Sequence, residues 1–523
     1  MKYFYYIGFF FVVSCASIQA PTGGEKDVDP PRIEQLSPEN FSTNFKGDRI
    51  VILFDEYVQL KNIYEQFLVS PPLSNRPEII IKGKTVIIDL QEELSKNTTY
   101  TFHLGEGIAD NNEGNILDSN KVVFSTGAVL DSLSLYGTVN LAENNRPVSS
   151  AVMLFKIGSD SSIVNERPAY FTRSTEDGEF RFEYLAEGDY QLFALEDLDK
   201  NYNWSEAEKM AFYGEDVKLD GSDSLVYHLK LFEKVPDSIQ VSNSKGTAFG
   251  QVELVFNKEP INLAYNAIGF EFDSVYRKDF TKDSLRLWFK NVVPFGDCKL
   301  ALRDNSGWKD TIDLFAFESK KEKELPELKI LNGRRIDQNP NKKLSIYFSN
   351  PIEQIDESKI VFILDTLERE INFELIDPLE SKASIEWSEW RKGSIGFFPG
   401  AIQDIYGQTN DTTISSIKIL GESDFSEFSF RVQPPYEGTF ILKSFLDKEP
   451  LYQQELIGDT ILNWTWLMPG KMEFILIDDK NQNGIWDSGD YFRGKEPEPT
   501  WSFGEEIQLR PNWSLEQEWI IEE

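Results

Sequence analysis

Apolar and polar residues alternate in short runs along most of the chain. Val51-Ile-Leu-Phe54, Val86-Ile-Ile-Asp-Leu90, Thr99-Tyr-Thr-Phe102, Ala151-Val-Met-Leu-Phe155 and Gln191-Leu-Phe-Ala-Leu195 are strand-length and rich in β-branched and aromatic residues. Apolar stripes at helical spacing are hard to find. One strand pattern occurs three times: Val51 to Val58, Val252 to Ile261 and Leu344 to Ile352. Each copy runs through apolar positions to Phe54, Phe256 or Phe348. A polar turn-like stretch follows, then another aliphatic residue. This predicts a strand ending in a bulge or bend.

The composition agrees with a β-rich reading. Phe (39) and Tyr (20) are plentiful and Met (5) is scarce. The 523 residues exceed one compact core and suggest several domains. The net charge of −34 argues against nucleic acid, which needs a basic footprint, and against anionic lipid surfaces. Two His and two Cys leave little material for zinc sites, Cys-His nucleophiles or disulfide frameworks. His103 and His228 both lie in strand-like stretches, and no glycine-rich phosphate loop opens a helix. Paired carboxylates for glycoside hydrolysis are invisible in a sequence this acidic. The expectation is a protein that is not an enzyme.

The N-terminus points to a compartment. Lys2 is the only charge in the first fourteen residues, and Tyr3 to Val13 is an apolar run of signal-peptide length. It ends in Val12-Val13-Ser14-Cys15, which resembles the lipobox of bacterial lipoproteins. That resemblance implies lipidation of Cys15, cleavage before it and anchoring by two or three acyl chains. The alternative is an ordinary secretory signal with a chance cysteine. Ala16, rather than Asp, implies the outer membrane, with the periplasmic or surface side open. Residues 1–14 then form the signal and 15–28 a Pro/Gly-containing tether. Cys298 remains as a lone strand thiol.

Two module types repeat. Pro30-Pro31-Arg32-Ile33, Ser37-Pro38, the first strand copy, the loop Gly107-Ile-Ala-Asp110 to Gly114-Asn115 and Phe124-Ser-Thr-Gly127 occur in order. They resemble the bacterial Ig-like domain of the S-layer (SbsA-type) kind over residues 29–127. Ala401-Ile-Gln-Asp404 with Tyr406-Gly407 repeats the loop within 324–420, whereas 235–318 retains mainly the strand. Separately, Tyr136-Gly-Thr-Val139, Pro147-Val148, Ala151 to Phe155, Asp177-Gly178 and Gly188-Asp-Tyr190 resemble the carboxypeptidase-regulatory-like (transthyretin-like) sandwich over 133–232. Gly438-Thr-Phe440, Leu467-Met-Pro-Gly470 and Phe474 to Ile477 echo it over 421–523. The predicted fold class is all-β, with tandem Ig-like and transthyretin-like β-sandwich modules of about 100 residues each.

Two acidic loops carry the sharpest chemical signal. Asp197, Asp199, Asn201, Asn203 and Glu208 form one; Asp479, Asn481, Asn483, Ile485, Asp487 and Asp490 form the other. Counted from the first Asp, both place oxygen side chains at positions 1, 3 and 5, Trp at 8 and an acid at 12. This is the spacing of an EF-hand-type calcium loop, in which position 7 donates its backbone carbonyl. Position 6 is the usual Gly484 in the second loop. It is Tyr202 in the first, which would need a strained positive φ. Each loop follows a strand, so a structural Ca2+ at a strand end is expected rather than a helix–loop–helix sensor. The alternative is an Asp/Asn-rich turn held by its own hydrogen bonds.

Asp-Ser/Thr followed by an aliphatic residue or Thr occurs nine times, at Ser132, Ser224, Ser238, Ser274, Ser284, Thr311, Thr366, Thr412 and Thr460. It resembles the O-glycosylation acceptor of some Gram-negative bacteria. The alternative is a turn that opens a strand. Six of eleven Trp lie between Trp464 and Trp519, as a sugar platform or as cross-strand packing. The expected function is a lipid-anchored cell-envelope binding or scaffold protein, with another envelope protein or a glycan as partner. The alternatives are an accessory carbohydrate-binding protein using the Trp-rich module, and a polysaccharide hydrolase.

Overall fold

A computed structural model describes residues 27–118, 121–157, 162–221, 226–281, 283–314, 325–385 and 392–522. Cys15 and Ser224, two of the predicted modification sites, lie outside these residues. The described chain is almost entirely strand and turn. No helix among the described residues is long and apolar enough to cross a membrane. The chain divides into two compact units: residues 1–140 with 147–229, and residues 141–146 with 230–523.

In the first unit, the strands Ile33–Ser37, Arg49–Phe54, Thr85–Asp89 and Glu78–Lys82 form one sheet, and Leu68–Ser70, Thr99–His103 and Lys121–Ser125 form another. Alternation decides the faces: Ile50, Ile52 and Phe54 point into the core with Val86, Ile88, Phe102 and Phe124. A short pair, Val58–Leu60 with Ile108–Asp110, sets the Asp110 turn beside them.

The other sandwich of this unit has a three-stranded sheet in the order Glu179–Leu185, Leu133–Leu141, Val226–Leu231. Its larger sheet runs Tyr170–Arg173, Ala151–Lys156, Gly188–Leu195, Met210–Phe212, with Val217–Leu219 also pairing Gly188–Leu195. Gly137 allows the smaller sheet to close, because a Cβ there would lie 1.9 Å from the Tyr227 carbonyl oxygen. Gly178 takes the predicted hairpin turn at φ 77°. Ala151 to Phe155 are buried on both faces of the large sheet. The acidic loop contributes a buried residue as well: Trp204 donates its backbone N–H to Ile163 O at 2.8 Å.

In the second unit, Val241–Ala248, Gln251–Phe256, Ser284–Lys290 and Ser274–Thr281 repeat the first four-stranded order, with Ala264–Glu271, Val293–Arg303 and Lys309–Asp313 as the second sheet. Cys298 is a buried strand residue here, as its sequence context predicts. Leu344–Tyr347, Glu380–Ala383 and Glu374–Asp377 form the corresponding sheet of the next sandwich. The three repeated strands end on buried Phe54, Phe256 and Phe348. The aliphatic residue after the turn is buried at Val58 and Ile352 but exposed at Ile261.

The C-terminal sandwich has the same strand order as the second one. Thr460–Leu467, Ser426–Gln433 and Ser514–Ile520 form its smaller sheet. Glu449–Ile457, Thr439–Leu446, Gly470–Asp478 and Thr500–Ser502 form its larger one, with Ile507–Leu509 also pairing Gly470–Asp478. Each acidic loop therefore connects the same two strands of the same topology.

Candidate functional site: two acidic loops on matching sandwiches

The first loop leaves the strand Gly188–Leu195 and re-enters the sheet at Met210–Phe212. The Asp197 carboxylate folds it: Oδ1 accepts the N–H groups of Asn201 at 3.0 Å and Tyr202 at 3.3 Å. Asp199 accepts from Asn201 N–H at 3.1 Å, and Asn201 accepts from Asn203 N–H at 2.5 Å. These successive side-chain turns wind the odd positions toward one centre. Glu208 closes the loop, accepting Leu198 N–H at 2.7 Å and Ser205 N–H at 3.0 Å.

Carboxylate oxygens of Asp197, Asp199 and Glu208 lie within 4.8 Å of one another, so the cluster can coordinate a divalent cation. Two oxygens in the loop are buried and accept no hydrogen bond: Asp197 Oδ2 and Asn203 Oδ1. A buried carboxylate oxygen without a donor is costly unless a cation satisfies it. Burial raises the Asp197 pKa; the N–H of Tyr202 lowers it and the Glu208 charge raises it further. Hard oxygen donors, convergence and two unsatisfied oxygens together fit a hard cation.

The second loop leaves Gly470–Asp478 with the same opening. Asp479 accepts Asn483 N–H at 3.1 Å and Gly484 N–H at 2.8 Å, Asn481 accepts Asn483 N–H at 3.0 Å, and Asn483 accepts Ile485 N–H at 2.9 Å. Positions 4 and 6 are left-handed in both loops: Lys200 and Tyr202 at φ 61° and 67°, Gln482 and Gly484 at 58° and 78°. Tyr202 adopts the strained geometry its position demands, at a cost of roughly 1–2 kcal/mol. Its ring packs edge-on against Phe171, with centroids 4.9 Å apart.

The closing acid of the second loop differs from the predicted one. The Asp490 carboxylate caps the short helix Tyr491–Arg493, accepting from Arg493 N–H at 3.3 Å. Glu498 occupies the role of Glu208. It accepts Lys480 N–H at 3.1 Å and Asp487 N–H at 3.0 Å, as Glu208 accepts Leu198 and Ser205. The shared Trp marks the equivalence: Trp204 donates its indole N–H to Glu208 O at 2.8 Å, and Trp486 to Glu498 O at 3.0 Å. Each Glu lies two residues before its strand. A longer connection moved the acid along the sequence and left it in place in space.

The Asp487 carboxylate accepts the side-chain amides of Asn481 and Asn483, the latter at 3.1 Å. Both Asp479 oxygens are taken by backbone N–H groups. The three-carboxylate cluster among the described residues belongs to the first loop, although the second has the regular glycine.

Other predicted features resolve locally. Eight described Asp-Ser/Thr sites are exposed or half-buried; Ser274, Ser284 and Thr460 begin strands, and Ser132, Thr366 and Thr412 immediately precede them. That is the turn-to-strand arrangement. The Trp cluster is used largely for packing: Trp464 stacks on Phe428 at 5.8 Å and Tyr452 at 6.0 Å, and Trp519 on Phe430 at 6.3 Å. Trp513 remains exposed beside Arg510. His103 and His228 are strand residues, with Thr138 Oγ1 2.9 Å from His228 Nδ1.

A turn carboxylate recurs in three of the sandwiches. Asp110 accepts the backbone N–H groups of residues 112 to 115. Asp404 accepts those of Tyr406 and Gln408, both at 2.9 Å. Asp304 accepts those of Ser306 and Trp308 at 2.9 and 3.1 Å. The 235–318 segment thus keeps the loop as well as the strand. Its signal was readable as Ala301-Leu-Arg-Asp304 followed by Gly307.

The bacterial Ig-like domain family matches residues 27–126. No curated protein matches. Among solved structures, a mixed-linkage glucan utilization locus protein of Bacteroides ovatus, SGBP-B, in complex with a mixed-linkage heptasaccharide, covers 73% of this chain and 95% of its own, at 11% identity and TM-score 0.19. The S-layer protein rSbsC(31-844) covers 87% and 66%, at 10% identity and TM-score 0.15. BcpA, the major pilin subunit of Bacillus cereus, covers 74% and 98%, at 9% identity and TM-score 0.14. Scores this low carry no inference about this chain. The protein is a modular, all-β chain built of Ig-like and related sandwich sheets, a typically non-catalytic kind of architecture.

Proposed function

We propose that this protein is a lipid-anchored envelope scaffold or binding protein whose two transthyretin-like sandwiches are each fixed by a structural Ca2+. The observation that carries the cation reading is the buried, donorless Oδ2 of Asp197 within the Asp197–Asp199–Glu208 cluster. Calcium suits the loop because it takes six to eight oxygens at about 2.3–2.6 Å in flexible geometry. Asp197, Asp199, Asn201 and Glu208 would supply side-chain oxygens, with the Asn203 carbonyl at position 7. Asp479, Asn481, Asn483, Ile485 and Glu498 are the corresponding set. The ion neutralises clustered carboxylates and fixes Glu208, whose carbonyl accepts the Trp204 indole N–H. Anchoring through Cys15 and placement at the outer membrane rest on the lipobox resemblance. The partner is an envelope protein or a glycan.

The test is calorimetry of the intact chain in calcium and in chelator. Calcium should raise Tm by several degrees, with magnesium less effective. Superimposable curves would overturn the cation reading. Crosslinking and pull-down from native membranes addresses the partner.

A further inference from the structure

The first acidic loop has a second face. Lys200 to Asn203 form one side of a cleft of about 480 Å³, lying wholly within the first unit. Tyr64 and Arg76 stand on another side, and Arg167, Phe171 and Arg173 complete it. Four cations and two acids, Glu65 and Asp197, therefore line one cleft, a local excess of positive charge in a chain of net charge −34.

Elsewhere, cations commonly meet carboxylates; Arg431, for example, bridges Asp459 and Glu518, both at 2.6 Å. Arg76, Arg167, Arg173 and Lys200 make no ion pair among the described residues. Rings and carbonyls meet the three arginines instead. The Arg76 guanidinium lies 4.2 Å from the Tyr64 ring centroid and donates to Tyr64 O. Arg167 donates to Leu73 O at 2.7 Å, and Arg173 lies 5.9 Å from the Phe171 ring centroid. A guanidinium has five N–H donors, so most of theirs remain available. Their charge converges on Tyr202: burial and Asp197 raise its pKa, while Arg173, Arg167 and Arg76 draw it back.

The second loop lacks this setting. Its Gly484 O accepts Gln453, Ser488 donates to Glu233 O at 2.5 Å, and Arg493 pairs with Asp237 at 2.8 Å. Matching loops thus serve two ends, one packed against its own chain and one lining a cationic cleft.

We propose that this cleft binds a small ligand carrying a carboxylate or phosphate group, clasped by Arg76, Arg167 and Arg173 and bordered by Tyr64 and Tyr202. Guanidinium forks match both oxyanions bidentately, and the volume suits a ligand of one or two sugar-sized units. The inference goes beyond the structural-cation reading: the three arginines that would clasp the ligand lie outside the acidic loop, which contributes the cleft's Lys200 to Asn203 side.

The test is isothermal titration of the full chain in chelator at low ionic strength, with inorganic phosphate, galacturonate and neutral galactose as separate probes. Saturable binding of phosphate or galacturonate, absent for galactose and weakened at least tenfold in Arg76→Ala/Arg173→Ala, supports the proposal. Whichever anion binds identifies the group. Lys200→Ala, which removes the one cleft cation carried by the acidic loop, should weaken binding several-fold. Absence of anion binding, or binding indifferent to both variants, overturns the proposal. Calcium titration of the same samples keeps this outcome separate from the cation reading.

Discussion

Glu208 and Glu498 each join two segments of their loop through backbone N–H groups, and each is tied to a Trp through its own carbonyl. Replacing either carboxylate with an amide removes a ligand charge and puts a donor where N–H groups already point. The number of calcium ions bound per chain should therefore fall from two to one in Glu208→Gln and in Glu498→Gln. It should stay at two in Asp490→Asn, whose carboxylate serves a helix cap. Titration calorimetry reads the stoichiometry directly. Loss of a site in Asp490→Asn with retention in Glu498→Gln would restore the regular twelve-residue spacing and overturn the assignment of Glu498. In a separate measurement, Trp204→Phe should lower stability by about 1 kcal/mol or more through the lost indole hydrogen bond.

At the scale of elements, the strand Thr99–His103 carries a pH-dependent term. His103 sits opposite Leu68 on one side and Lys121 on the other. Burial, and then the Lys121 charge, push its pKa from 6.5 down to about 4, against a smaller opposing pull from Glu183. The folded state thus binds the proton less readily than the unfolded chain. Stability from this group is complete above about pH 6.5 and is lost as pH falls toward 4. The loss is about 3 kcal/mol at the acid end. His103→Gln should show a shallower fall of Tm between pH 7 and 4.5 than the parent protein. Equal slopes would show that His103 titrates normally.

At the scale of the whole molecule, the proposed lipid anchor decides where the tandem sandwiches operate. Cys15→Ser should move the protein from the membrane fraction to the soluble fraction and abolish incorporation of labelled palmitate. Retention in the membrane with unchanged labelling would remove the lipoprotein reading. The −34 charge resolves into local roles. Some carboxylates fold turns, as Asp110, Asp304 and Asp404 do; three cluster closely enough to coordinate a divalent cation; others pair with basic residues on neighbouring strands, as Glu253 does with Arg286. At Asp110, burial opposes ionisation, but N–H groups from Gly114, Asn115, Glu113 and Asn112 outweigh it and hold the pKa at about 2.

Local patterns reached the strands because alternation and β-branched content act over a few residues. They reached the repeated Phe, the Asp177-Gly178 turn and the opening of both acidic loops for the same reason. Asp197 and Asp479 each organise only the next five or six residues. The fixed spacing also reached Glu208, which closes the first loop, but not the closing acid of the second. Glu498 follows Trp486 by twelve residues where Glu208 follows Trp204 by four, and only the return to the same neighbouring strand makes them equivalent. The cleft was further still from view. Arg76, Arg167 and Arg173 are scattered cations in sequence, and tertiary packing within the first unit is what brings their charges around one space.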